Sequence, residues 1–120
     1  MAHKSPDIPQ QYAADWLEKM DGRTAIARAV NERLHSLLAD LGGADALSYQ
    51  QRSLAKRAIW TEAVIEQSEA ALARGEDVDV GRITQANNSL IGLYRVLGIE
   101  RKVKDVPDLA TYLASRGATA

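Results

Sequence analysis

The chain has no cysteine and no phenylalanine, and aromatic residues make up only 5% of its 120 residues. Without cysteine it has no disulfide, no thiolate nucleophile and no cysteine-bound zinc. Because aromatic residues are few, the apolar volume of the core must come from leucine, isoleucine, valine and alanine. Alanine lets helices approach closely but buries little area. We therefore expect a second copy of the chain to complete the fold.

Long apolar runs are also missing. None approaches the roughly 20 residues that a membrane-spanning helix needs. The first ten residues are polar and contain two prolines, unlike a signal peptide. A cytoplasmic protein with no membrane partner is therefore expected. The formal net charge of -1 gives no overall attraction to nucleic acid or to anionic lipid.

Apolar residues recur at spacings of three and four along most of the chain, which predicts an all-α fold in one domain. The predicted helices cover residues 11–20, 21–41, 48–74, 80–97 and 107–115. Ser48 begins the longest of them with a Ser-x-x-Gln capping box, and Gly75 ends it. Because only a short linker precedes the next helix, we expect the two to form an antiparallel hairpin.

These elements divide the chain into three parts. Residues 1–47 hold a leader and the N-terminal helices. The hairpin and oligomerisation core cover residues 48–98. A basic linker and a C-terminal docking helix make up residues 99–120.

The longest predicted helix carries two apolar faces. One has heptad-like spacing and suits packing within the hairpin. A monomeric hairpin would leave the other exposed. We predict that this second face is an oligomer interface, formed by Ile59, Trp60, Ala63 and Ala70. In the following helix, Asn87 lies at the edge of the apolar stripe, where it either fixes the register between subunits or is a tolerated surface amide.

Side chains that could carry catalysis do not converge in the sequence. His35 has no carboxylate four residues away with which to bind a metal. Glu62, Glu66 and Glu69 share a helix face, but no Glu-x-x-His pair accompanies them, so we interpret them as a solvated face. Glycine-rich phosphate loops are absent as well. The sequence therefore predicts no catalytic residue, no metal and no cofactor.

Charge is unevenly distributed along the chain. Residues 23–57 hold six basic and three acidic residues, whereas residues 58–79 hold six acidic residues and one basic residue. Near the start of the longest helix, backbone N–H donors would add to basic side chains in binding phosphate. The predicted DNA-binding residues are Arg23, Arg28, Arg33, Arg52, Lys56 and Arg57. Ordinary solvated charge is the alternative interpretation.

Short motifs along the chain also suggest a family. They are Asp-Gly-Arg-Thr at 21–24, Asp-Leu-Gly-Gly at 40–43, Leu-Ser-Tyr-Gln-Gln-Arg at 47–52, Ala-Arg-Gly-Glu at 73–76, Leu-Gly-Ile-Glu-Arg at 97–101 and Asp-Leu-Ala-Thr-Tyr-Leu-Ala at 108–114. With these motifs the chain resembles short helical proteins of phages and prophages. In size and layout it is similar to the small subunit of tailed-phage terminases, over about residues 16–115.

The resemblance implies a function as well as a fold. In that family a helical hairpin assembles into a ring, the N-terminal part engages viral DNA, and the C-terminal tail contacts the large terminase subunit or the portal. It implies that this chain is a non-catalytic DNA-packaging protein, which binds double-stranded DNA and contacts its partner through the C-terminal tail. The apolar face of the predicted tail helix, formed by Leu109, Tyr112 and Leu113, either docks to that partner or packs across the base of the chain's own hairpin. The alternative is a structural or regulatory helical oligomer of a phage or prophage that does not contact DNA.

Overall fold

A computed structural model describes residues 4–98, which form three α-helices and no strand. This confirms the predicted all-α class. Helix α1 covers Ala25–Asp40, α2 covers Tyr49–Ala73, and α3 covers Val80–Leu97. A 3-10 turn at Ala44–Ala46 lies between α1 and α2.

Each helix is preceded by a polar N-cap residue, whose side chain accepts a hydrogen bond from a backbone N–H group of the first turn. At α2 the hydroxyl of Ser48 accepts from the N–H of Gln51 at 3.1 Å, and the Gln51 side chain accepts from the N–H of Ser48 at 2.9 Å. This capping box confirms the start predicted from the sequence. Thr24 and Asp79 cap α1 and α3 through their side-chain oxygens. Helix α1 therefore begins at Ala25, four residues later than predicted.

The predicted helix over residues 11–20 is wrong, because the chain there folds into turns. The N–H of Ser5 donates to the carbonyl oxygen of Lys19 at 2.9 Å, and the N–H of Asp21 donates to that of Ser5 at 2.7 Å. These bonds form an isolated parallel bridge between Ser5 and Met20. Residues 4–20 are called the N-terminal segment below.

Two apolar clusters form the core of the described residues. The first joins the N-terminal segment, α1 and α2, through Ile8, Trp16, Met20, Ala27, Val30, Ile59 and Ala63. The second joins the end of α1, the loop after it and the facing parts of α2 and α3, through Leu41, Leu47, Ala55, Ala58 and Leu97. Neighbouring elements therefore enclose the first two-thirds of α2.

The end of α2 and most of α3 lack buried residues. Between Ile65 and Leu97 no residue is buried, although several apolar residues are half-buried. Residues 66–89 belong to neither apolar cluster, so their apolar side chains are only partly covered. None of the three described helices is long and apolar enough to cross a membrane.

Candidate interaction surfaces

The predicted oligomer interface lies mostly inside the chain's own core. Ile59 is 2% exposed and Ala63 is 4% exposed, both in contact with the N-terminal segment. Trp60 is half-buried, and its Nε1–H donates to the carbonyl oxygen of Pro9 at 2.9 Å. Only Ala70 of the four predicted residues is exposed. The prediction that this face needs a second subunit is wrong, because the N-terminal segment covers it. Oligomerisation itself stays a prediction.

Carboxylates neutralise three of the six predicted DNA-binding cations. Arg33 Nη1 lies 3.1 Å from Glu62 Oε1 and 2.8 Å from Glu66 Oε2. The Lys56 ammonium lies 3.0 Å from Glu18 Oε1, and the Arg23 guanidinium pairs with Asp21 at 3.1 Å. We therefore remove Arg33 and Lys56 from the predicted DNA surface, since binding phosphate would require breaking contacts that join separate parts of the fold. Arg23 pairs only with a near neighbour and is 92% exposed.

The other three cations form no ion pair among residues 4–98 and are exposed. Arg52 lies in the first turn of α2 and donates weakly to the carbonyl oxygen of Leu47 at 3.4 Å. The Arg57 guanidinium lies 3.9 Å from the centre of the Tyr12 ring, a cation–π contact that leaves its charge in place. Arg28 lies on α1. The structure thus leaves Arg28, Arg52 and Arg57 exposed and without an ion pair among residues 4–98, and Arg23 exposed beside Asp21.

A polar network between the helices was missed in the sequence. The hydroxyl of Tyr94 on α3 donates to Glu62 Oε2 at 2.8 Å, while Arg33 on α1 binds the other oxygen of the same carboxylate. Burial and the hydrogen bond to Glu62 raise the pKa of Tyr94, because both favour the neutral phenol. The hydrogen bond to Glu66 raises the pKa of Arg33. The spacing of Glu62 and Glu66, which place two carboxylates on one helix face, was the available signal.

A groove of about 650 Å³ runs beside this network, between α1, α2 and the end of α3. Its charged lining residues are Glu32, Asp40, Glu62 and Arg33. Three carboxylates against one guanidinium make the groove acidic, so it is not a surface for the phosphates of DNA. The apolar part of the lining includes Leu37, Leu41 and Ile59.

Five large apolar side chains are exposed among the described residues, of which Tyr49 (72%) and Val96 (74%) lie at the start of α2 and the end of α3. Val80 is 56% exposed, Ile91 is 53% exposed, and Leu72 is 47% exposed. Val80 and Ile91 share one side of α3 with two exposed polar residues, Thr84 and Asn87. The four residues follow one another at intervals of four, three and four, which places them in a single line along a helix. This line is called the free stripe of α3 below.

Other predicted features are left as predictions. Leu109, Tyr112 and Leu113 lie outside the described residues.

Within residues 4–98, no group of three or more histidine, aspartate or glutamate side chains could hold a metal ion. No known protein family, curated protein or solved structure matches the chain.

Proposed function

We propose that this protein is a non-catalytic DNA-packaging protein, similar in role to the small subunit of tailed-phage terminases. In this role several copies associate, bind viral double-stranded DNA in the host cytoplasm, and present it to the large terminase subunit or the portal. The all-α build supports the role. The presence of exposed arginines that form no ion pair among residues 4–98 also supports it.

We infer that α2 and α3 form the antiparallel hairpin on which such an assembly would be built. Tyr94, near the end of α3, contacts Glu62 in the middle of α2. Leu97, at the last turn of α3, packs with Ala55 and Ala58, which lie earlier in α2. Later residues of α3 therefore meet earlier residues of α2, which is the order expected of an antiparallel pair. The exposed apolar residues beyond Ile65 support self-association of this hairpin.

Arg52 is the residue that carries the proposed DNA contact. It is exposed, it forms no ion pair among residues 4–98, and it lies in the first turn of α2. The positive end of the helix dipole adds to its charge at this position. Each subunit would neutralise only a few phosphates, so binding depends on several copies acting together.

Salt-dependent binding to a DNA duplex tests the proposal, with Arg52→Glu as the variant. Affinity for DNA of any sequence should fall steeply as salt rises, because binding releases counterions. Arg52→Glu should weaken binding by about tenfold, corresponding to about 1.4 kcal/mol. The matched control is Arg82→Glu, an equal charge change at an exposed position in the first turn of α3. Arg82→Glu should bind DNA as tightly as the parent. If Arg52→Glu also binds as tightly as the parent, Arg52 does not carry the contact, whereas a parent protein that binds no duplex DNA at low salt would reject DNA binding itself.

A second candidate is a structural or regulatory helical oligomer that does not contact DNA. The observation in its favour is the pairing of Arg33, Lys56 and Arg23 with carboxylates, which halves the predicted basic surface. Under this alternative, the protein still forms oligomers but does not bind duplex DNA even at low salt. The same titration therefore separates the two functions.

A further inference from the structure

The free stripe of α3 has an apolar residue at each end and two polar residues between them. Val80 and Ile91 are more than half exposed, although they are large aliphatic side chains. Thr84 and Asn87 are exposed between them. Such a stripe lies along one helix face and has the spacing by which two helices pack into each other. Nothing among residues 4–98 covers it.

We propose that the free stripe is the contact surface for α3 of a second copy of this chain, packed antiparallel about a twofold axis. In this pairing Val80 faces the partner's Ile91, and Thr84 faces the partner's Asn87. A twofold axis repeats both contacts, which gives two apolar layers at the ends and two polar layers at the centre. The inference rests on the oligomerisation in the proposed function and names its surface.

Charge complementarity selects the second copy and its direction. The chain just before α3 is acidic, with Glu76, Asp77 and Asp79, and Arg82 follows in the first turn, whereas the last turn of α3 holds Arg95. In the antiparallel pair, Arg95 lies level with the partner's acidic residues before α3, and the two helix dipoles oppose each other. A parallel pair would instead place Arg95 beside the partner's Arg95 and Asp79 beside the partner's Asp79. Like charges at both ends disfavour that arrangement.

The polar centre of the stripe also fits this pairing. The Thr84 hydroxyl already donates to the carbonyl oxygen of Val80 at 3.1 Å, which leaves the Thr84 oxygen free to accept. The amide of Asn87 has two N–H donors. In the antiparallel pair it can donate to the partner's Thr84, and a hydrogen bond of this kind fixes the register of two helices.

Disulfide cross-linking tests the pairing directly, since the chain contains no cysteine. The variants are Val80→Cys and Ile91→Cys, each made alone and then mixed. Within one chain these positions are about 16 Å apart along the helix, at about 1.5 Å per residue. A disulfide needs Cα atoms only about 4.4–6.8 Å apart, so any link must join two copies.

Mild oxidation of the mixture should give a disulfide-linked dimer of one Val80→Cys chain and one Ile91→Cys chain. Its yield should exceed that of either variant alone several-fold. In a dimer of a single variant, the two identical cysteines lie far apart on opposite sides of the twofold axis. The control is Val96→Cys, which is 74% exposed but points away from the free stripe. Circular dichroism of all three variants should match the parent.

Three outcomes would overturn the pairing. Strong linking of Val80→Cys to itself would show a parallel pair. No link in the mixture would mean that the stripe does not meet a second copy, and linking of Val96→Cys at an equal rate would indicate random collision. If light scattering then still shows an oligomer that binds DNA, the proposed function survives while this surface does not. If the mixed dimer forms but the protein does not bind DNA, the pairing stands and the proposed DNA-packaging function fails.

Discussion

The indole N–H of Trp60 donates to the carbonyl oxygen of Pro9 at 2.9 Å, joining residues that lie 51 positions apart in the sequence. This bond ties the N-terminal segment to the side of α2 that the sequence predicted to be an oligomer interface. The ring of Tyr12 strengthens the same contact, since it packs edge-on against Trp60 with centroids 5.6 Å apart. The segment that would otherwise be a leader is therefore part of the core.

Removing that indole donor should weaken the fold. We expect Trp60→Phe to lower the free energy of unfolding by about 1 kcal/mol, the usual net contribution of one hydrogen bond. Urea denaturation followed by circular dichroism measures it. The control is Tyr49→Phe, which removes a hydroxyl from a side chain that is 72% exposed and should change nothing. Equal stability of both variants would show that the N-terminal segment is not held by this bond.

Ile59→Asp should unfold the chain. Ile59 is 2% exposed in the cluster that holds Trp16 and Met20, so the substitution places an unpaired carboxylate in the core. Such a charge costs several kcal/mol, which is a large part of the roughly 5–15 kcal/mol that stabilises a typical domain. Ile91→Asp, on the exposed side of α3, should leave the helical circular dichroism unchanged. A folded Ile59→Asp protein of lower mass would instead support the interface predicted from the sequence.

The phenol of Tyr94 should ionise at higher pH than ordinary tyrosines, because burial and Glu62 raise its pKa. Absorbance of tyrosinate near 295 nm should therefore show a last step that disappears in Tyr94→Phe. Since the folded state favours the neutral phenol, its contribution to stability is complete below the ordinary pKa of about 10 and is lost as the pH rises above it. Unfolding free energy should fall more between pH 9 and pH 11 for the parent than for Tyr94→Phe. Tyr49→Phe should leave the last step in place.

The capping box at the start of α2 should contribute measurably to stability. Ser48→Ala removes the acceptor for the N–H of Gln51, so we expect a loss of about 1 kcal/mol in the free energy of unfolding. Ser48→Gly should cost less, because glycine lets water reach the helix end. Ser89→Ala, at an exposed position inside α3, is the matched control and should be neutral or slightly stabilising. A loss of equal size at both serines would contradict a specific role for the cap.

Local signals predicted the helices well wherever one residue decides the boundary. Ser48 caps α2 as expected, Asp79 caps α3, and α3 covers the predicted residues. Gly75 and Gly98 follow α2 and α3 with φ of 82° and 93°, a region that favours glycine. A cap or a glycine acts within one turn of the chain, so its effect can be read from a few residues.

The spacing of apolar residues gave a wrong prediction in the N-terminal segment, where residues with helical spacing lie in turns. The residues Tyr12, Trp16, Leu17 and Met20 have helical spacing, yet the chain around them forms turns. A helix of about ten residues is marginal in water, so contacts with α1 and α2 outweigh its weak intrinsic preference. The same contacts cover Ile59 and Ala63, and they explain why an apparent oligomer face became intramolecular core.

By itself, the sequence determined that the described chain is helical, where α2 and α3 begin and end, and that α2 has more than one apolar face. Only the tertiary structure decided which partner covers each face and which charges remain available. Arg33, for example, gives no sign in the sequence of its contacts with Glu62 and Glu66, some 30 residues away. Caps and periodicity act over a few residues, whereas burial and ion pairing depend on how segments distant in sequence meet in space.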